Sequence, residues 1–151
     1  MRIAIAADHN GISLKTRLIG WLTTAQGHEV DDRGAHDTEV VDYPPLCADI
    51  GRQVVDGRAE RGIVIGGTGG GEAIACNKIR GVRGGLCHSV FLAEISSAHN
   101  QTNVLVMGAK VITSEEAVEI TATWLATPFK GERHQRRLDQ IAALERGESL
   151  A

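Results

Sequence analysis

The feature that most constrains this chain is the junction Gly62-Ile-Val-Ile-Gly-Gly-Thr-Gly-Gly-Gly-Glu72. Ile63, Val64 and Ile65 form an unbroken β-branched run, the pattern of a strand covered on both faces, and the run stops at Gly66. Glycines and the single Thr68 fill positions 66 to 71, after which Glu72 to Lys78 is compatible with a helix. A strand, a glycine loop and a helix in this order leave backbone N–H groups unpaired at the positive end of the helix. An anion or a developing oxyanion can bind there.

Two phosphate-binding loops can be set against this stretch. A P-loop needs a lysine directly after its last glycine, but here Glu72 follows and the first lysine is Lys78. A dinucleotide fingerprint begun at Gly67 or Gly69 puts its third glycine on Glu72 or Ile74, and it would follow a mid-chain strand instead of the first one. A carboxylate set directly after an oxyanion cradle is instead what proton abstraction beside a carbonyl requires. Glu72 also reads as a favourable first-turn carboxylate with no catalytic part.

Around this junction the chain alternates strand and helix patterns. Residues 2–7 read as a strand and Asp8-His9-Asn10-Gly11 as a turn, and Leu14, Leu18 and Leu22 mark an amphipathic helix over 12–26 that ends at Gly27. A strand at 28–32 and a polar loop to Val41 come next. Asp42-Tyr43-Pro44 then looks like an acidic cap and proline opening a helix to about Asp56. Beyond the glycine loop come a strand at 83–87, a helix at 89–97 capped by Ser89, and a polar turn at His99-Asn100. A strand at 103–108, a helix to Ala126 that opens with Ser114 as cap and an acidic first turn, and a final helix at 133–146 complete the chain. Five alternating units predict an α/β fold, a three-layer αβα sandwich around a five-stranded parallel sheet. In such sheets ligands collect at the carboxyl ends of strands, where Asp8-His9, Gly66 to Glu72, His88 and Gly108-Ala-Lys110 fall.

At 151 residues one domain is expected, burying about 70% of the surface of the unfolded chain. With 42% hydrophobic residues, 23% charged residues and a net charge of -3, nucleic acid is not an expected partner. The apolar runs are far shorter than a membrane span, and charge interrupts the N-terminus before a signal-peptide core could form, which points to the cytoplasm. Three cysteines without C-x-x-C spacing argue against a disulfide framework, and six histidines without H-x-H or H-E-x-x-H spacing give no reason to expect a metal.

Each candidate has a plainer reading. Asp8 and His9 suit a helix cap as well as a site, and His99 to Asn103 suits a helix-ending loop. Arg133 and Arg137 share one helical face and could simply be solvated, yet they sit near a helix N-terminus where the dipole disfavours cations, which hints at an anion partner. Cys76 lies one turn after Glu72 on the same face, where small residues mostly pack against a sheet.

Taken together, Ala7-Asp-His-x-Gly11, Asp42-Tyr-Pro44, Gly67-Thr-Gly-x-Gly71, Ala75-x-Asn-Lys78, His99-Asn-x-x-Asn103 and Arg133-His-x-x-Arg137 resemble the type B ribose-5-phosphate isomerases, the family shared with the galactose-6-phosphate isomerase subunits. The resemblance spans nearly the whole chain. It implies a Rossmann-like homodimer, or a tetramer of two such dimers, with active sites at the subunit interface and metal-free aldose–ketose conversion of a sugar phosphate. Much of the family has a catalytic cysteine where this chain has Gly66. Another branch carries a glutamate directly after the glycine loop, and the match at Glu72 makes this the expected base. Resemblance further places Thr68, Asp8 and His99 at ring opening, and the N–H groups of Gly67, Gly69, Gly70 and Gly71 at the enediolate oxygen. It gives His9, Arg133 and Arg137 to the phosphate, and Asn100 and Asp42, with Tyr43 beside it, to the sugar. Lys110 stands where the family commonly has a further arginine, so a point charge replaces a planar fork. Isomerisation of another tetrose, pentose or hexose phosphate, or phosphosugar binding without turnover, are the alternatives.

Overall fold

The computed structural model describes residues 1–150. Five parallel strands, β1 (Arg2–Ala7), β2 (Glu29–Asp32), β3 (Arg61–Gly66), β4 (Gly84–Leu86) and β5 (Val104–Gly108), lie in the order β2-β1-β3-β5-β4. The six helices are α1 (Ile12–Gly20), α2 (Tyr43–Val55), α3 (Gly70–Cys76), α4 (Val90–Ala98), α5 (Ser114–Ala126) and α6 (Arg133–Glu145).

Alternation along the strands sorts the core into two layers, because successive strand side chains point to opposite faces. Ile3, Ile5, Ile63, Ile65, Leu105 and Met107 face α1, α4 and α5, where Leu14, Leu18, Ala93, Ile120 and Trp124 meet them. Ala4, Ala6, Val64, Val104 and Val106 face α2 and α3 through Cys47, Ile50 and Cys76. Because both faces are covered, the central strands read as unbroken apolar runs. Strand β4 is an edge, and the Asn77 side chain pairs with its backbone, donating to the Gly84 carbonyl (3.0 Å) and accepting from the Gly84 N–H (2.9 Å).

Four local expectations need correction. The first helix is not regular to residue 26: α1 stops at Gly20 and Trp21–Ala25 continue as a wider π turn. The hydroxyls of Thr23 and Thr24 take the carbonyls of Ile19 (2.7 Å) and Gly20 (2.5 Å), which competes with the regular ladder. Helix α3 begins at Gly70, so the loop proper is Gly66 to Gly69 and Glu72 lies in the first turn. Asp42 occupies the N-cap position of α2, but its side chain makes no capping bond and stays free for other partners. The cap of α5 is Thr113, not Ser114: Thr113 Oγ1 accepts from Glu116 N–H (3.2 Å), and the Glu116 carboxylate accepts from Thr113 N–H (2.7 Å). The expected Ser89 cap is present, accepting from Leu92 N–H at 3.2 Å.

Candidate active site

Strand order reverses between β1 and β3, since the chain leaves β1 for β2 on one side and returns to β3 on the other. The carboxyl ends of these two strands therefore open a crevice. Asp8 lies at the end of β1, and the glycine loop at the end of β3. The Asp8 N–H donates to the Ile65 carbonyl (3.0 Å), which ties the two together.

The loop is held from below. The Ala109 and Lys110 N–H groups donate to the carbonyls of Gly66 (2.8 Å) and Gly67 (2.9 Å), fixing these two peptides. Gly69 has φ +81°, a conformation only glycine adopts freely, and turns the chain into α3. Thr68 Oγ1 accepts from Gly70 N–H (3.3 Å). Among the described residues, the N–H groups of Gly67, Thr68, Gly69 and Gly71 find no acceptor, so they remain available to an oxyanion.

Glu72 is buried at 4% exposure, and its carboxylate lies directly over Gly66. A Cβ built on Gly66 would fall on that carboxylate, so any side chain at 66 competes with Glu72 for one position. Burial raises the Glu72 pKa above the usual 4.5, with the charge of Asp8 adding to the rise and the residue's own N–H opposing it. Asp8, itself 5% exposed, accepts from the Asn10 backbone (2.8 Å) and the Asn10 amide (3.0 Å). This is a turn contact, and the N-cap of α1 is Gly11. His9 accepts from Val41 N–H at Nδ1 (3.4 Å), and its Nε2 stands 3.3 Å from the Asn10 amide nitrogen. The ring end of Tyr43 packs against Gly71, and the stem of Lys110 passes beside Gly67.

The remaining predicted residues lie elsewhere. Helix α4 leaves the carboxyl end of β4 and runs back, so His99 and Asn100 reach the amino-terminal end of the sheet, where the Asn103 carbonyl accepts from Gly62 N–H at 2.9 Å. Helix α6 starts at the same end, because Lys130 N–H donates to the Ala98 carbonyl (2.9 Å). His134, to which the sequence reading gave no role, is 6% exposed and stacks on His99 with ring centroids 4.0 Å apart and planes 13° from parallel. Loss of solvent, then the charges of His99, Arg133, Arg137 and Lys130, lowers its pKa from 6.5. His134 and Leu138 share a buried face at four-residue spacing, the signal that could have marked this histidine as packed. One chain thus carries two groups: Asp8, His9, Asp42, Tyr43, Gly67 to Glu72 and Lys110 at one end of the sheet, and His99, Asn100, Arg133 and Arg137 at the other. A five-residue strand separates them by roughly 15–20 Å.

Cys76 and Cys47 are both fully buried between α2, α3 and the sheet. The neighbouring Cys76 thiol, together with burial, pushes the Cys47 thiol pKa up. The Cys76 side chain belongs to this packing layer, as its position after Glu72 suggested.

Residues 3–141 match the family model described as Ribose/Galactose Isomerase. The chain belongs to this family. Ribose-5-phosphate isomerase B of Escherichia coli (strain K12) is 39% identical over 144 residues, covering 95% of this chain and 96% of that protein. Ribose-5-phosphate isomerase B of Mycobacterium tuberculosis is 40% identical over 149 residues, covering 97% and 91%. Among solved structures, ribose-5-phosphate isomerase B of Clostridium thermocellum superposes with a TM-score of 0.96 at 40% identity over 99% of this chain and 100% of that one. The Mycoplasma genitalium enzyme with bound ribulose-5-phosphate gives 0.91 at 35% identity, covering 96% of each chain. The α/β sandwich and the resemblance read from the sequence both stand.

Proposed function

We propose that this chain interconverts D-ribose 5-phosphate and D-ribulose 5-phosphate through a cis-enediolate, with Glu72 as the base. The observation that carries the base assignment is a carboxylate of raised proton affinity, buried over Gly66 beside a row of unpaired N–H groups. A base must hold a proton between two carbons of the same substrate, and a carboxylate whose pKa is lifted toward neutrality both takes and returns it readily. Asp8 and Thr68, with His99, move protons between the ring oxygen and the anomeric hydroxyl and open the sugar. Glu72 then takes the C2 proton, the unpaired N–H groups between Gly67 and Gly71 receive the oxyanion that forms at O1, the O2 hydroxyl proton passes to O1, and Glu72 delivers its proton to C1. His9, Lys110, Arg133 and Arg137 hold the phosphate, and Asp42, Tyr43 and Asn100 the hydroxyls.

The two separated groups call for two chains. We assign the working unit as a homodimer in which the partner supplies His99, Asn100, Arg133 and Arg137 to the crevice holding Glu72. Exposed apolar side chains support this reading: Ile74 on α3, Leu86 at the end of β4 and Val90, Phe91 and Leu92 in the first turn of α4 are all exposed, Phe91 to 67%, as are Ile141 and Leu144 on α6.

The test is turnover of D-ribose 5-phosphate in EDTA by the native chain, Glu72→Gln and Cys76→Ala. The native protein and Cys76→Ala are expected to turn over, and Glu72→Gln to lose about 10²–10⁴ in kcat. Full activity in Glu72→Gln would remove the base assignment, and an inert native protein would remove the substrate.

A further inference from the structure

Arg83 stands immediately before β4 and turns its side chain under the loop that follows His99. Its Nε donates to the carbonyls of Asn100 (3.2 Å) and Gln101 (3.0 Å), and Nη2 donates to Gln101 again (2.8 Å). Gln101 has φ +45°, a left-handed conformation that costs energy for a residue with a side chain. Among the described residues no carboxylate lies within ion-pair distance of this guanidinium. Burial, then the charge of Arg61, lowers the Arg83 pKa, with Glu145 opposing. A half-buried cation without a direct ion pair is an expensive way to satisfy two carbonyls unless the loop must keep one shape.

Asn103 completes the attachment. Its Oδ1 accepts from Arg83 N–H (2.8 Å), its Nδ2 donates to the Gly81 carbonyl (2.9 Å), and its own N–H donates to the Arg83 carbonyl (3.1 Å). Residues 100, 101 and 103 are therefore all fastened to the short stretch 81–83. His99, the C-cap of α4, is the residue directly before the fastened segment and is stacked on His134.

We infer that Arg83, with Asn103, is a positioning residue for the isomerase reaction: it fixes the left-handed turn at Gln101 and through it the directions in which His99 and Asn100 reach the sugar. The inference rests on the reading of His99 as a ring-opening group. In ribulose 5-phosphate the hydroxyl that would close a five-membered ring is esterified, so this ketose stays open. At saturating ketose, exchange of its C1 proton with solvent deuterium needs the base and the oxyanion loop but no ring opening, whereas turnover of the closed aldose also needs ring opening.

The experiment compares these two rates in native protein, Arg83→Met, Arg83→Lys and His99→Asn, with the His99 ring resonances followed by NMR. Arg83→Met is expected to lose roughly 10–100-fold in aldose kcat/KM while C1 exchange changes less than about threefold, the scale of a misplaced group. The His99 resonances should shift, and Arg83→Lys, which keeps the charge but not the fork, should recover part of the loss. Equal loss of both rates in Arg83→Met, or no loss in either, overturns the inference, as do unmoved His99 resonances. If Arg83→Met does not fold, Arg83→Lys decides by the same ratio. If His99→Asn shows no difference between the two rates, the ring-opening reading of His99 fails, and the His99 resonances in the Arg83 variants decide the positioning on their own.

Discussion

Gly66 and Glu72 share one small volume, and much of the site's chemistry follows from that. The strand ends in a residue without a side chain, and the carboxylate from the first turn of α3 occupies the space left over. Gly66→Ala is expected to leave the fold intact, because the group it displaces is the far end of a flexible side chain. It should lower kcat by about 10²-fold or more through misplacement of the proposed base. Combined with Glu72→Gln it should add little, since both changes remove one function; kinetics of the single and double variants check this. The raised Glu72 pKa also sets two pH effects. The acid limb of kcat/KM should lie above pH 4.5, because the proposed base must be ionised to act. A carboxyl whose folded pKa exceeds its unfolded value of about 4.3 contributes stability below that pH, and the contribution is lost as pH rises through the folded value. Glu72→Gln should therefore melt above the native protein at pH 8, with the gap closing toward about pH 4. A melting series across that range checks it.

Among the elements, α1 does more than cover the sheet. Lys15, 2% exposed, projects from it to Asp32 Oδ1 (2.5 Å) and the Ala35 carbonyl (2.6 Å), anchoring the segment after β2. That segment also pairs with β1, through Ala7 N–H to the Gly34 carbonyl (2.7 Å) and Ala35 N–H to the Ala7 carbonyl (2.6 Å). Further along, the same connection brings Val41 to His9 and Asp42 to the crevice. Burial alone would raise the Asp32 pKa, but the bonds from Lys15 and Gly34 prevail and it is lowered. Lys15→Met should cost about 2–3 kcal/mol at pH 7, toward the low end for a broken buried pair because Asp32 remains 34% exposed. A depressed carboxyl pKa stabilises above the unfolded value and loses that effect as pH falls through the folded one. The penalty of Lys15→Met should therefore shrink below about pH 4, as denaturant melts at pH 7 and pH 3.5 would show. No local pattern reports this pair, because a lysine amid Leu14 and Leu18 looks like one on a solvated flank. The helix itself was legible from its four-residue leucine spacing, while its π turn depended on two threonine hydroxyls that no apolar period reports.

For the whole molecule, the decisive fact is that parallel strands put the βα turns and the αβ turns at opposite ends. Glu72 belongs to the first kind and His99 to the second, so no folding of one chain brings them together. Mixing inactive Glu72→Gln with inactive Arg137→Ala, after unfolding and refolding together, should restore about a quarter of native activity. Half of randomly formed dimers are mixed, and each mixed dimer holds one intact site of its two. If the arginines served their own chain, every site would carry a defect and the mixture would stay inactive.

Order along the chain was enough to determine the α/β alternation, the two-faced central strands and the glycine loop with its following carboxylate, because each rests on local periodicity or on a contiguous motif. The Arg133 to Arg137 face was legible for the same reason. Tertiary structure alone decided that Glu72 fills the space over Gly66, that His134 stacks on His99, and that Arg83 fastens the 99–103 loop. The first depends on how the loop turns α3 back over the end of β3, and the other two join residues separated by many positions, with a geometry set by how helices return across a sheet; no local pattern in the chain encodes either.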